Sequence, residues 1–160
     1  MTQKLYSVGE AQRLAKVKLP KMIYDFVEGS AGDESLRDLN TAALDKMRLM
    51  PRVLIDVSKR SLDLQFLGKD YGLPFGVAPM GMCNLVWPLA DQIIAREAAR
   101  RRFPVAVSTA SSTTLERMIE LAEGFAWFQL YADQSPEFVS DLIERAASVS
   151  YTHLTLPTRS

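Results

Sequence analysis

An α/β fold with parallel strands is what this sequence predicts, and three observations carry the prediction. From residue 73 onward, short apolar runs bounded by turn residues alternate three times with longer segments whose apolar positions recur at helical spacing. Each helical segment opens on a start signal: Pro88, the pair Thr113 and Glu116, and Ser135 followed by Pro136. The chain has 160 residues, 48% of them apolar, enough to bury a core. Strand-helix units in succession pair their strands in parallel through right-handed crossovers, and both doubly wound sheets and barrels are built from them.

In chain order, Ser7 and Glu10 form a capping box that opens a helix to about Lys16. A second helix begins with Pro20 at its first position, carries Met22, Ile23, Phe26 and Val27 on one side, and stops near Gly29. Asp33 caps a third, through Leu36, Leu39, Ala43, Leu44 and Met47. Residues 48–57 read as extended and irregular around Pro51, and 62–67 as a half-buried strand leading to a turn at Gly68. The repeated units follow. A strand at 73–78 is bent away from the sheet by Pro79 and Gly81, and a helix from near Pro88 carries Leu89, Ile93, Ile94 and Ala98. A strand at 104–108 precedes the helix capped by Thr113, and a strand at 125–130 precedes the helix capped by Ser135. Residues 150–160, S-Y-T-H-L-T-L-P-T-R-S, show no periodicity of a fourth strand and helix. They resemble translated sequencing-adapter read-through and are set aside as non-native, leaving 1–149 as the folded portion.

Charge and cysteine content narrow the partners. Nineteen basic and nineteen acidic residues leave a formal net charge of zero, which argues against a nucleic-acid partner and for a small molecule. Cys83, the single cysteine, cannot form an internal disulfide, and no signal-like apolar run opens the chain, so a reducing, cytoplasmic setting is expected. No apolar segment approaches the roughly 20 residues that cross a bilayer, so any membrane contact is peripheral.

Ligands of parallel α/β folds lie beyond the carboxyl ends of the strands. There the sequence offers Pro79, Met80 and Gly81 after the first strand, Ser108 and Thr109 after the second, and Gln129 and Tyr131 after the third. A bare backbone bend, hydroxyls, an amide and a phenol suit a flat polar heterocycle beside a small anion. No Gly-rich phosphate loop is present, and no metal site is assigned.

These residues belong to a larger pattern. L-P-K-M-I-Y-D-F from Leu19, E-G-S-A-G-D-E after it, P-R-V-L-I-D-V-S from Pro51, V-A-P-M-G-M, V-S-T-A-S and W-F-Q-L-Y stand in the order and spacing of the FMN-dependent α-hydroxy acid dehydrogenases and oxidases. Glycolate oxidase, flavin L-lactate dehydrogenase and mandelate dehydrogenase are of this kind. The chain resembles the mandelate and lactate branch most, through S-K-R-S-L, N-L-V-W-P and S-T-A-S-S. The resemblance covers 1–149 and implies the N-terminal part of a TIM (β/α)8 barrel: a helical extension and about three βα units, binding FMN at the carboxyl mouth. It implies cofactor contacts from Pro79, Met80, Gly81, Ser108 and Gln129. Tyr131 would face the substrate, and a glycine at 81 would leave room for a bulkier α-substituent than methyl.

Two features depart from the pattern. The family commonly has a second substrate-contacting tyrosine where this chain has Phe26; phenylalanine keeps the ring but loses a hydrogen bond worth roughly 1 kcal/mol, or somewhat more to a charged acceptor. Tyr24, two residues earlier, reads as packing. The family's proton-accepting histidine, in an S-N-H-G-G-R type motif, and its carboxylate-binding arginines follow later strands. His153, in T-H-L-T, lacks the Gly-Gly-Arg, so no catalytic residue is assigned in this chain. The implied activity of the complete enzyme is oxidation of a small 2-hydroxy acid to the 2-oxo acid, with oxygen or a quinone as acceptor left open. A homo-oligomer and peripheral contact with the inner membrane are expected only of the complete protein. Three strands cannot close an eight-stranded barrel, so 1–149 alone is expected to be inactive, poorly soluble and weak in FMN binding. Two alternatives stand beside this reading: another FMN- or phosphate-binding TIM barrel such as an isomerase, and a non-catalytic flavin-binding module.

Overall fold

The computed structural model describes residues 4–132, 135–151 and 153–156, and the chain divides into two compact units, Met1–Lys59 and Arg60–Ser160. The first holds the three expected helices, α1 (Val8–Lys18), α2 (Lys21–Glu28) and α3 (Ser35–Asp45). The Ser7 hydroxyl accepts from the Glu10 amide at 3.1 Å, while the Glu10 carboxylate reaches back to the Tyr6 amide at 3.0 Å, one residue short of a closed capping box. Pro20 stands just outside α2 as its cap rather than as its first residue, and Gly29 ends the helix. Asp33 accepts from both the amide and the hydroxyl of Ser35 but is not the cap it was expected to be: Glu34, at φ 64°, stands at the start of α3. No residue of these helices is buried: Met22 is 77% and Leu36 69% exposed.

The second unit begins with a hairpin, β1 (Leu64–Phe66) antiparallel to β2 (Lys69–Tyr71), around Gly68. A parallel sheet follows in the order β3 (Val77–Met80), β4 (Val105–Ser108), β5 (Ala126–Gln129) and β6 (Leu154–Thr155). Helices α4 (Ala90–Arg101), α5 (Leu115–Leu121) and α6 (Pro136–Ser148) connect them. The sequence left open whether helices cover one face of the sheet or two, and packing decides it. Val105 and Val107 of β4 share a core with Ala95 and Ala98 of α4 and with Met118, Ile119 and Ala122 of α5. Phe128 of β5, in register with Val107, packs with Leu115 of α5 and Leu142 and Ala146 of α6. All three helices therefore lie on one face. Successive right-handed crossovers that always step to the next strand in the same direction must put their helices on the same side. This is part of an α/β barrel wall, not a doubly wound sheet.

The other face looks into a hollow of about 590 Å³ whose lining includes Phe66, Tyr71, Phe75, Ala106, Trp127 and Thr155. Leu64 and Phe66 border the same hollow, so β1 is exposed along its length and not half-buried as its alternation suggested. The hairpin is fastened at the amino ends of the strands: Lys69 Nζ donates to the Gly124 carbonyl at 2.6 Å and lies 3.8 Å over the Phe125 ring, and Trp127 Nε1 donates to the Tyr71 hydroxyl at 3.3 Å. Burial lowers the Lys69 pKa from its usual value. These contacts of the hairpin all lie away from the carboxyl ends of the strands.

Three expectations change in detail. The strand expected at 73–78 is β3 at 77–80, and Pro79 lies inside it rather than ending it. β3 is outermost among the described strands and is irregular in register between Val77 and Met80, a setting that tolerates proline's missing amide hydrogen. Thr114, not Thr113, caps α5 by accepting from the Arg117 amide, while the Thr113 amide donates to the Ser111 hydroxyl in the preceding turn, so the helix begins one residue later. The absence of a fourth strand is also corrected. The free edge of β5 carries the Phe128 and Leu130 amides, which donate to the carbonyls of His153 and Thr155 at 3.0 Å each, and the Tyr151 hydroxyl donates to the Leu115 carbonyl at 2.7 Å. An unpaired strand edge thus recruits a segment with no periodicity of its own.

Gly76 sits where β3 enters the sheet beside β4. A Cβ there would lie 2.5 Å from the Pro104 carbonyl oxygen, which is backbone and cannot turn aside. Gly76→Ala is expected to destabilise the second unit by about 1–3 kcal/mol, as overpacking does, read as a lower urea midpoint.

Candidate active site at the carboxyl ends of the strands

The ends of β3, β4 and β5 are stitched together by the turn after β4. The Met82 amide, just past β3, donates to the Ala110 carbonyl at 3.0 Å. Toward β5, the Thr109 amide and hydroxyl both donate to the Gln129 carbonyl, at 3.1 and 2.7 Å, and the Tyr131 amide donates to the Thr109 hydroxyl at 3.1 Å. The turn is closed on itself by the Ala110 amide on the Ser108 hydroxyl (3.1 Å) and the Ser111 amide on the Ser108 carbonyl (2.9 Å). Three strand tips become one rim.

Ser108 and Gln129 stand opposite each other in register. Strand side chains alternate, so these two share the face of Ala106 and Trp127, which line the hollow, while Val107 and Phe128 face the helices. Gln129 is 8% exposed, and its Oε1 is buried without a hydrogen-bond partner among the described residues. A buried amide oxygen left unpaired costs about 1–3 kcal/mol, so it marks a place where a donor is owed. Gly81 closes the gap between the first two tips: a Cβ would lie 3.1 Å from the Ala110 methyl and 3.4 Å from its carbonyl. Met80 and Tyr131 are exposed at the rim, Tyr131 at 38%. The structure thus brings Pro79, Met80, Gly81, Ser108, Gln129 and Tyr131 onto the ends of three neighbouring strands. Phe26 and Tyr24 lie on α2 in the first unit, where Phe26 is exposed. His153 is part of the segment on β5's edge, its ring 5.5 Å from that of Trp127.

Sequence reasoning missed the support behind the rim. Asp91, in the first turn of α4, is 4% exposed, and its Oδ2 accepts from the Ser111 hydroxyl at 3.0 Å and the Ser112 amide at 2.9 Å. In the sequence it reads only as an acidic residue favoured by the helix dipole. Its partners, twenty residues on, carry no sign of the contact. Cys83, in a 3-10 turn at Cys83–Leu85, lies beside the same carboxylate; burial first, and the carboxylate second, push its thiol up to about 11. Further out, Arg145 of α6 pairs with Glu116 of α5 at 2.8 Å and holds the Glu116 carboxyl below its usual range.

A one-sided parallel α/β wall, with a buried amide oxygen left unpaired at its carboxyl rim, fits a piece of a barrel enzyme. The chain belongs to the FMN-dependent dehydrogenase family, whose model matches residues 15–158. It is 36% identical over 158 residues to the (S)-mandelate dehydrogenase of Pseudomonas putida, covering 99% of this chain and 40% of that protein. It is 35% identical over 153 residues to human 2-hydroxyacid oxidase 2, covering 95% and 44%. Among solved structures, a soluble mutant of the membrane-associated Pseudomonas putida enzyme superposes with a TM-score of 0.89 at 36% identity over 97% of this chain and 44% of that one. A mandelate oxidase superposes at 0.87 with 29% identity, over 96% and 44%. The chain therefore spans less than half the length of these relatives.

Cys83 supplies a direct check on the electrostatics behind the rim. Its thiolate is scarce at neutral pH, so alkylation by iodoacetamide is expected to be slow at pH 8 and to rise toward about pH 11, whereas in the unfolded chain it rises from about pH 9. Because the folded form keeps its proton longer, this group's contribution to stability is complete below pH 9 and is lost as the pH rises to about 11.

Proposed function

We propose that this chain is the N-terminal part of an enzyme that oxidises a small 2-hydroxy acid of the mandelate, lactate or glycolate type to the 2-oxo acid with FMN. The observation that carries the reading is the unpaired Oε1 of Gln129 on β5, a residue in register with Ser108 of β4, whose other neighbour is the β3 end that carries Met80 and Gly81. These groups fit a flavin. The ring's N–H groups would supply the donor that Gln129 lacks, the Ser108 hydroxyl and the Gln129 amide can donate to its carbonyl and ring nitrogens, and the main chain at Pro79, Met80 and Gly81 can lie along its plane. FMN, when bound, supplies the two-electron acceptor. The chain's own residues bind and orient: Ser108 and Gln129 fix the ring's polar edge, and Tyr131, exposed at the rim, directs its phenol to the substrate carboxylate. Phe26, on α2 of the first unit, stands where the family pattern commonly has a substrate-contacting tyrosine, and its ring carries no hydroxyl.

The base that removes the α-hydroxyl proton belongs to strands beyond this chain, so residues 1–149 alone are inactive, bind FMN weakly and dissolve poorly. Residues 150–160 are a non-native tail, of which His153, Leu154 and Thr155 take the edge of β5. A mandelate-like preference is supported by the likeness to mandelate dehydrogenase and mandelate oxidase and by the glycine at 81. Peripheral membrane contact and a homo-oligomer belong to the complete protein, the former supported by the monotopic membrane enzyme among the relatives; the setting is cytoplasmic.

The test is to obtain the DNA beyond codon 149 and purify the full-length product. A downstream S-N-H-G-G-R type motif, a bound flavin spectrum and bleaching of that flavin by mandelate, lactate or glycolate are expected; a native stop codon, or a complete gene without the motif, contradicts the reading. In that protein Ser108→Ala and Gln129→Leu should each weaken FMN binding about fivefold or more by titration, since each removes a hydrogen bond worth roughly 1 kcal/mol.

A further inference from the structure

We infer that Asp91 is a positioning residue of the flavin rim: its buried carboxylate, anchored on α4, clamps the turn after β4 and thereby sets the spacing between Gly81 and Ser108. The inference rests on the flavin reading above and goes beyond it, because Asp91 touches none of the groups assigned to the cofactor.

The geometry is a short mechanical path. Asp91 Oδ2 holds the Ser111 hydroxyl and the Ser112 amide. Ser111 is itself bonded back to Ser108, whose hydroxyl receives the Ala110 amide. The Ala110 carbonyl then takes the Met82 amide, the first beyond Gly81. Each bond is between 2.9 and 3.1 Å. The Asp91 carboxylate is 4% exposed and holds half-buried Ser111 and exposed Ser112 from inside, so removing it takes away the turn's anchor on α4 even where water reaches the freed donors. The turn carries no other tie to α4 among the described hydrogen bonds, and α4 is held by Ala95 and Ala98, both fully buried. Asp91 therefore transmits the rigidity of the helix to a loop that has none of its own, and that loop fixes where the Ser108 hydroxyl and the Gly81 backbone stand relative to each other. Charged acceptors make the stronger hydrogen bonds, which is the reason for a carboxylate here in place of an amide.

The experiment uses the full-length protein, apo and FMN-loaded, with Asp91→Ala, Asp91→Asn and Ser111→Ala. Amide hydrogen exchange of the apo protein reads the clamp without flavin. In Asp91→Ala the Ser112 and Met82 amides should exchange at least tenfold faster, while Ala98 and Ala122 in the core keep their rates. Asp91→Asn, whose amide oxygen can take the place of Oδ2 and accept from both the Ser112 amide and the Ser111 hydroxyl, should restore most of the protection. Ser111→Ala should give a smaller change at the same amides. FMN affinity should fall at least tenfold in Asp91→Ala and recover in Asp91→Asn, with the visible flavin spectrum of the alanine variant shifted toward that of free FMN. Met82 exchange within twofold of the parent overturns the inference, as does an unchanged FMN affinity in a parent that binds FMN. Should Asp91→Ala fail to fold, Ser111→Ala alone decides by the same two readouts. A parent that binds no FMN defeats the flavin reading, while Met82 exchange still decides whether Asp91 holds the turn.

Discussion

Residues 109–111 are the constraint on which the site depends. A four-residue strand ends wherever its ladder ends, and nothing in a parallel sheet obliges neighbouring strands to finish in mutual reach. Here the Thr109 amide and hydroxyl bind the Gln129 carbonyl on one side, and the Ala110 carbonyl binds the Met82 amide on the other. A segment without regular structure thus does for the carboxyl ends what the ladders do for the strand interiors. It explains why small, hydroxylated residues fill V-S-T-A-S-S: a larger residue at 110 would press on Gly81, and threonine at 109 supplies both a donor for β5 and an acceptor for the Tyr131 amide.

The division of labour between the two ends of the sheet follows from the same economy of polar groups. At the amino ends, Lys69, Tyr71 and Trp127 lock the hairpin down and satisfy their own polar atoms in doing so. At the carboxyl ends the Gln129 oxygen stays unpaired inside the protein. A satisfied end is a stability device, and an end with a donor still owed is a binding device. The single-sided placement of α4, α5 and α6 adds the third element. It leaves the opposite face of the sheet apolar and open, the interior of a wall that continues in relatives more than twice as long as this chain.

How much of this is legible in the amino-acid order depends on the range of the forces involved. Caps and turns act within a few residues, so Ser7, Ser135 with Pro136, and Gly29 mark their helices to within a residue or two. Parallel pairing of the central strands follows from the strand-helix alternation, and the rim follows because the residues just past each strand must lie at one end of a parallel sheet. What escapes is long-range. Pro79 looks like a terminator because proline forbids a ladder bond, yet an outermost strand with an irregular register has no bond to lose there. Thr113 looks like a cap, but the turn that follows β4 runs one residue further and Thr114 takes that place. Asp91 acts on residues twenty positions away and so reads as an ordinary first-turn acid. Leu154 and Thr155 show no strand pattern in the sequence, and their pairing with the edge of β5 makes them a strand.

The account's central claim is that three strand tips, fixed by one turn, present a single flavin-binding edge. A crystal structure of the full-length protein with FMN tests it most directly. The claim requires the flavin's polar edge within hydrogen-bond distance of the Ser108 hydroxyl and the Gln129 side chain, with the ring along the backbone of Met80 and Gly81. A flavin bound elsewhere, with the Gln129 oxygen still unpaired, would contradict it.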